Sequence, residues 1–517
     1  MTVLSGSIFA DGESYALFTS VDQDNTKRLS AYKEYWNFYK GKHWTHVRDI
    51  NAPVVTVNKS RRFIDILSGW LFKRGFEIYI PDDLKTEETD AMDRDFISRA
   101  LNDTWEKNKK IQWGLEAGQM GGVTGDLFMR VSWDEDDPLD DPHTRVDILP
   151  SHYVFPEFGG PHGVDRKYMT RCTILYPKYV YETKGLIRRR RSRKTVVDGE
   201  IWTKETYQTI REDNIVATNP NPYGEIPIVH VPNVVLAGEF FGVSDLADLI
   251  DLNKEYNEKC TDISDVIAYH GSPLTIAKGC RLKDLNRGAN NVIAIPEKAD
   301  VKNLELSGDL KAALSYVELI ERHMHEISGV PREAMGHFTN VANTAAAAIA
   351  LRFMPLTDRR DMKIATYGTG IRFVNRLIIK TLRLKDVQFD SQFRQLENKS
   401  PKGANLYRTA VKFNEPMPRD ETLELNKAQL RIEIGLSSKQ DEMRDVLGLS
   451  KAEIEERIEN MKQEAQDFAN NEYNAPILTK KKPVPSGPVR DEKRSAAALK
   501  LTEAGQKVTQ ASDMINR

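Results

Sequence analysis

The chain has 517 residues, a formal net charge of -2, 40% hydrophobic residues and 29% charged residues. That much apolar material excludes wholesale disorder, and the length suggests about three or four domain-sized regions. With the charges almost balanced, no global field holds the chain to nucleic acid, so any contact with DNA is local or works by enclosure.

Residues 1–26 are small and polar and read as an arm. From 27 to 40, Leu29, Tyr32, Trp36 and Tyr39 share a face and Gly41 follows, which predicts a helix and its stop. Asn51-Ala-Pro-Val-Val-Thr-Val-Asn-Lys reads as extended and leads into an apolar helix containing Phe63, Ile64, Ile66, Leu67, Trp70 and Leu71. Phe76-Glu-Ile-Tyr-Ile is strand-like. A helical region over roughly 88–120 breaks at Gly121-Gly-Val-Thr-Gly, and Asp126 to Trp133 alternates as a strand. Residues 144–235 are rich in strands and turns.

From 244 onward helices dominate. Residues 242–270 predict a helix about 40 Å long with two unlike faces. Asp245, Asp248, Asp251, Glu255, Glu258, Asp262 and Asp265 fall within an arc of roughly 160°. Leu246, Leu249, Ile250, Leu252, Tyr256, Cys260, Ile263 and Ile267 fill the other arc. Like charges at this spacing repel by a few tenths of a kcal/mol per pair, roughly, so the stripe is a cost. Two readings stand: a solvated face, or the electronegative wall of a channel. Pro273-Leu-Thr-Ile-Ala and Asn291-Val-Ile-Ala-Ile-Pro mark a strand-bearing insert over 271–306, followed by a helix from Asp309 to Ser328 that Gly329 and Pro331 end. A connection from Val330 to Asn343 leads to a very long helical pattern from Thr344 to about Leu384. Pro355 lies inside it and predicts a kink near Met354. Residues 386–416 look extended, 420–470 helical, and the tail after Ala475 linker-like.

Three cysteines, Cys172, Cys260 and Cys280, give neither a disulfide framework nor a zinc set. No apolar run reaches the roughly 20 residues of a membrane span and no signal-peptide pattern opens the chain, so a cytosolic assembly site is expected.

The order of these segments resembles the portal proteins of tailed bacteriophages along nearly the whole chain. The likeness is carried by Tyr39-Lys-Gly-Lys-His-Trp, Val54-Val-Thr-Val-Asn-Lys, Gly125-Asp-Leu-Phe-Met-Arg-Val, Asn219-Pro-Asn-Pro-Tyr-Gly-Glu-Ile-Pro-Ile-Val-His-Val-Pro-Asn, Gly242-Val-Ser-Asp-Leu, Ser328-Gly-Val-Pro and Phe413-Asn-Glu-Pro-Met-Pro-Arg-Asp. No one of them is diagnostic. The resemblance implies a mainly α fold with α+β parts, divided into wing, stem, clip and crown and assembled as a cyclic ring, a homododecamer in the virion. It maps an arm to 1–26, the wing to 27–243, stem helices to 244–270 and 307–330, the clip to 271–306, and a tunnel loop to 331–343. The kinked helix maps to 344–385, a return wing segment to 386–418, the crown to 419–475 and a tail to 476–517. It further implies a capsid-vertex channel for packaging and ejecting double-stranded DNA. Implied partners are the large terminase subunit, a head-completion or adaptor protein, and the major capsid and scaffolding proteins, with a role in nucleating procapsids. No cofactor and no membrane partner are expected.

On that map the acidic stripe would line the bore and keep DNA from sticking. His337, Phe338, Thr339, Asn340, Val341 and Asn343 would protrude into it, unless they form an ordinary connection. Arg188, Arg189, Arg190, Arg191, Arg193 and Lys194 form the strongest basic run: a solvated hairpin loop, or a contact to DNA or to an acidic capsid partner. Asp134-Glu-Asp-Asp-Pro-Leu-Asp-Asp lacks calcium-loop spacing, His323 and His325 point to different helix faces, and His43 and His46 lack a third ligand, so no metal site is expected. Gly121-Gly-Val-Thr-Gly has no Lys-Ser/Thr after it, so a packaging ATPase would be a separate motor. The alternative is a metal-dependent nuclease using the 134–141 carboxylates, and converging titratable groups would mark it.

Overall fold

The computed structural model describes residues 23–44, 54–81, 92–135, 142–159, 169–184, 190–212, 214–271, 275–278, 300–303, 310–337, 346–400, 405–416, 421–447, 454 and 457–463. They fall into two units, Met1–Pro416 and Met417–Arg517. The fold is mixed α and β.

In the first unit, α1 (Gln23–Tyr39) buries Leu29, Tyr32, Phe38 and Tyr39. The helix α2 (Lys59–Phe72) opens at Asn58, whose side chain accepts from Arg61 N at 3.0 Å. After β1 (Phe76–Tyr79), the expected helical region is two helices, α3 (Met92–Lys107) and α4 (Lys110–Thr124), parted where Lys109 takes φ +52°. Strands β2 (Asp126–Asp134) and β3 (His143–Leu149) pair antiparallel, and β9 (Ile228–Pro232) joins the other edge of β2. A second sheet runs in chain order through β4 (Val154–Phe158), β5 (Met169–Lys184), β6 (Arg190–Thr203), β7 (Thr206–Arg211) and β8 (Asn214–Pro220). There follow α5 (Ile250–Gly271), the antiparallel pair β10 (Thr275–Lys278) and β11 (Asp300–Asn303), and α6 (Leu310–Ser328). Last come α7 (Ala346–Lys385), α8 (Val387–Lys399) and β12 (Ala410–Phe413), the last pairing with β1.

The helix α7 is 40 residues long and continues through Pro355. Its Tyr367, Ile371, Val374, Leu377 and Ile378 are buried in the largest core cluster with Leu127, Met129, Val229 and Val231 of the first sheet, Trp105 of α3, Trp113 of α4 and Phe413 of β12. The two indole donors of this cluster are satisfied: Trp105 Nε1 donates to Asn375 Oδ1 at 2.8 Å and Trp113 Nε1 to Val146 O at 3.1 Å. Gly370 brings α7 onto β9, because a Cβ there would collide with Val231.

Two expectations are corrected. The helix expected from 244 starts at Ile250, because Ser244 to Leu249 form turns in which the Ser244 hydroxyl donates to Val123 O at 2.6 Å and accepts from Leu246 N at 3.0 Å. The stretch from 386, expected extended, opens with α8. Asp386 caps it, accepting from Gln388 N and Phe389 N at 2.9 and 3.0 Å, and Phe389, Phe393 and Leu396 form the buried stripe.

In the second unit, α9 (Glu421–Glu433) ends at Gly435 with φ +76°, and Leu436 N reaches back to Arg431 O at 2.9 Å. The next helix, α10 (Lys439–Leu447), is opened by Ser438, whose hydroxyl accepts from Asp441 N at 3.1 Å. A helical stretch covers 457–463.

Gly125 ends α4 with φ +86°, and a Cβ on it would lie 2.6 Å from Gly242 O. Gly125→Ala is expected to cost roughly 2–5 kcal/mol in denaturant unfolding, from left-handed backbone strain plus collision. Gly224→Ala, at φ +63° with open space around it, should cost only about 1–2 kcal/mol. Equal losses would show that the close approach to Gly242 has no energetic weight.

The 3-10 turn Ser151–Tyr153 carries His152, whose pKa burial pushes down to about 4, with Lys40 and Arg28 acting the same way. The folded state takes up this proton later than the unfolded chain, so stability falls as pH drops from about 6.5 to about 4. His152→Gln should remove roughly 1–3 kcal/mol of that acid-side loss in urea melts across this window.

Candidate functional site

The stem-like helix α5 is held by amides. Asn253, Asn257 and Thr261, four residues apart, are its buried face. Asn253 Oδ1 accepts from Ser60 N at 3.1 Å and from the Ser60 hydroxyl at 2.8 Å, and its Nδ2 donates to Val57 O at 3.0 Å. Asn257 Oδ1 accepts from Val57 N at 2.9 Å, and Thr261 Oγ1 accepts from Val55 N at 3.0 Å. Helix side chains thus stand in for a neighbouring strand along residues 55–60. Asn257 Nδ2 also donates to His43 Nδ1 at 2.7 Å, while His43 Nε2 donates to Phe38 O at 3.0 Å. Both ring nitrogens are engaged and burial lowers this pKa, so His43 is a structural neutral imidazole. The apolar arc is only half covered: Leu252, Tyr256, Cys260 and Ile263 are half-buried and Ile267 is exposed.

The acidic stripe points away from the amides, roughly 130° around the helix. Asp248, Asp251, Glu258 and Asp265 are exposed, and Glu255 and Asp262 share Lys259 at 3.7 and 3.3 Å. Asp245 leaves the stripe. It is 6% exposed and paired with Lys363 of α7 and, at 3.1 Å, with Arg359. Its turn precedes the helix and is pressed against the end of α4, where Asp245 N donates to Gly122 O at 2.9 Å. Lys363 also donates to Asn233 Oδ1 at 3.0 Å, as does the Tyr367 hydroxyl. Burial pushes the Lys363 ammonium below its ordinary range, and the Asp245 carboxylate counters this. Nearby, buried Asp126 accepts from the Tyr32 hydroxyl at 2.6 Å, His230 Nε2 at 2.7 Å and Gly242 N at 2.8 Å. Gly121-Gly-Val-Thr-Gly therefore serves backbone packing, which its glycines signal as clearly as they would a phosphate loop.

Beyond α6, Gly329 takes φ +69° and a 3-10 turn spans Arg332–Met335. Glu333 pairs with Arg352 of α7 at 2.8 Å and Glu321 with Lys59 at 2.7 Å. His325 is buried, donating from Nδ1 to Val330 O at 2.7 Å, while His323 is exposed on another face. His337 is exposed; Phe338, Thr339, Asn340, Val341 and Asn343 lie outside the described residues. Arg188 and Arg189 also lie outside them, whereas Arg190, Arg191, Arg193 and Lys194 belong to β6 rather than to a loop. Of the acidic run, Asp134 pairs with Arg145 and Glu135 with Lys385; 136–141 are not described. Among the described residues no three His, Cys, Asp or Glu side chains group to hold a metal, and no helix is long and apolar enough to cross a membrane.

The family model described as phage portal protein, SPP1 Gp6-like, matches residues 19–468 of this chain. No curated protein matches it.

Lys363→Met leaves Asp245 buried with only the partly exposed Arg359. The expected loss in denaturant unfolding is roughly 3–5 kcal/mol. Adding Asp245→Asn should return at least about 1 kcal/mol of it. Strict additivity of the two losses would count against a coupled pair.

Proposed function

The chain belongs to the SPP1 Gp6-like phage portal proteins, and from that membership we propose that it forms a closed homo-oligomeric ring at the capsid vertex. The ring passes double-stranded DNA in packaging and ejection. It docks the large terminase subunit, which supplies the ATP hydrolysis, and a head-completion protein, and it meets the major capsid and scaffolding proteins during procapsid nucleation.

One observation carries this reading: α5 and α6 pack together yet leave two unlike faces open in a single subunit. On α5 the open face is the carboxylate row from Asp248 to Asp265. On α6 it carries apolar residues: Tyr316, Leu319 and Ile327, within an arc of roughly 80°, are 38% to 46% exposed. The same holds on α7, where exposed Leu351, Met362 and Phe373 recur every eleven residues and so fall along one line. Apolar stripes of this length ask for a neighbour, and repeated head-to-tail contacts close a ring. The carboxylate row then lines the bore. It gains no counterion-release attraction for phosphate and repels a duplex over about 8 Å in physiological salt.

Negative-stain microscopy of the purified chain should show rings with a central hole of roughly 20 Å or more, wide enough for a duplex. Tyr316→Glu with Leu319→Glu should give single subunits. Asp251→Lys, Glu258→Lys and Asp265→Lys together should keep the ring but retain a threaded duplex in a salt-sensitive way. Single subunits of the unaltered chain at micromolar concentration would sink the ring. Unchanged DNA retention by the triple variant would remove the carboxylate row from the bore.

A further inference from the structure

We propose that the outer part of the β5–β6 ribbon is an arm that binds the phosphate backbone of duplex DNA without regard to sequence; the choice of DNA as occupant rests on the conduit reading above. The strands β5 and β6 stay paired from Arg171↔Thr203 out to Lys184↔Arg190. The neighbouring strands stop early: β4 follows β5 only as far as Ile174, and β7 follows β6 only as far as Gly199. From Tyr176↔Asp198 outward, no third strand is present among the described residues. The base is anchored, since Val196 and Val197 are buried, and Lys178 pairs with Asp198 at 3.3 Å.

The outer register runs from Val180↔Lys194 to Lys184↔Arg190. On these two segments Lys184, Arg190, Arg191, Arg193 and Lys194 stand against one acid, Glu182. The chain as a whole carries -2, so this excess of cations is local. Lys184 and Arg190 are direct cross-strand partners, and like charges so placed destabilise a ribbon that a two-stranded hairpin can barely hold in water. A polyanion removes that repulsion. The cations follow one another along β6 at Arg190, Arg191, Arg193 and Lys194, with Lys184 across from Arg190, a linear array that fits a linear polyanion better than an acidic patch on a folded protein. A two-stranded ribbon also has the width that the major groove of B-DNA admits.

The test uses the full chain and the variant Arg190→Ser, Arg191→Ser, Arg193→Ser, Lys194→Ser. Binding of a fluorescent random-sequence duplex is read by anisotropy between about 50 and about 200 mM salt. The variant should bind about ten-fold or more weakly at the low end, and its log–log salt slope should fall by roughly 3 to 4. Replacing the three arginines by lysine should preserve both affinity and slope, which separates lost charge from a misfolded hairpin. Unlabelled duplex should displace the probe and polyglutamate should not. Unchanged affinity and slope in the serine variant overturns the arm; equal displacement by polyglutamate overturns DNA in favour of an acidic protein. Ring formation is scored separately by microscopy, so failure of the arm and failure of the portal reading give different results.

Discussion

The buried pair of Asp245 and Lys363 sets the geometry of the first unit. A carboxylate and an ammonium this far from water are tolerated only together, since either one alone costs several kcal/mol, about 3–5. Asp245 sits in the turn that opens α5, Lys363 in the middle of α7, and Asn233, which shares the lysine, just past β9. The end of α4 closes on the same point through Gly122 and Gly125. Four elements far apart in sequence are thus held to one spot by electrostatics and close backbone approach. The helix pair α5–α6 leaves from that spot, and the amide contacts of α5 with residues 55–60 hold its direction.

Much of this was legible in the sequence where periodicity and capping agree. The stripe of α6 and its glycine stop, the alternation of β2 and the long pattern of α7 all mark real elements within a few residues. The helix α8 was not legible as such, because its signal is one Asp cap and four apolar residues, of which Val387 is exposed, among nine polar or charged ones, which burial against α7 and its neighbours converts into a stable helix. Asp245 was misplaced for a related reason. At helical spacing it is indistinguishable from Asp248, and only the lysine more than a hundred residues away tells them apart. The amide face of α5 carried a readable sign in hindsight, Asn253, Asn257 and Thr261 at four-residue intervals. An apolar-stripe search ignores polar repeats. Four cations of the basic run lie in β6 rather than in a loop, because strand pairing extends out to Lys184↔Arg190, further than charge density suggests.

The arrangement separates two electrical jobs. Charges that hold the fold are paired and buried, as at Asp245 with Lys363 and Arg359, or satisfied by several hydrogen-bond donors, as at Asp126. The carboxylates on α5 make no comparably buried ion pair among the described residues, Glu255 and Asp262 sharing only Lys259 at the surface. In the roles proposed above, these carboxylates and the cations of β6 are of opposite sign and lie on different elements, so a near-neutral chain would present one surface that repels a polyanion and one that attracts it.

The amide ladder has a consequence for how α5 moves. The backbone N–H groups of Val55, Val57 and Ser60 owe their hydrogen bonds to side chains of that one helix. Their exchange with solvent deuterium is therefore gated by a single event, the lifting of α5, and all three protons share its opening free energy. A pull on α5 is therefore felt at the second helix of the chain, because the backbone N–H groups that lead into α2 lose these side-chain acceptors in the same motion.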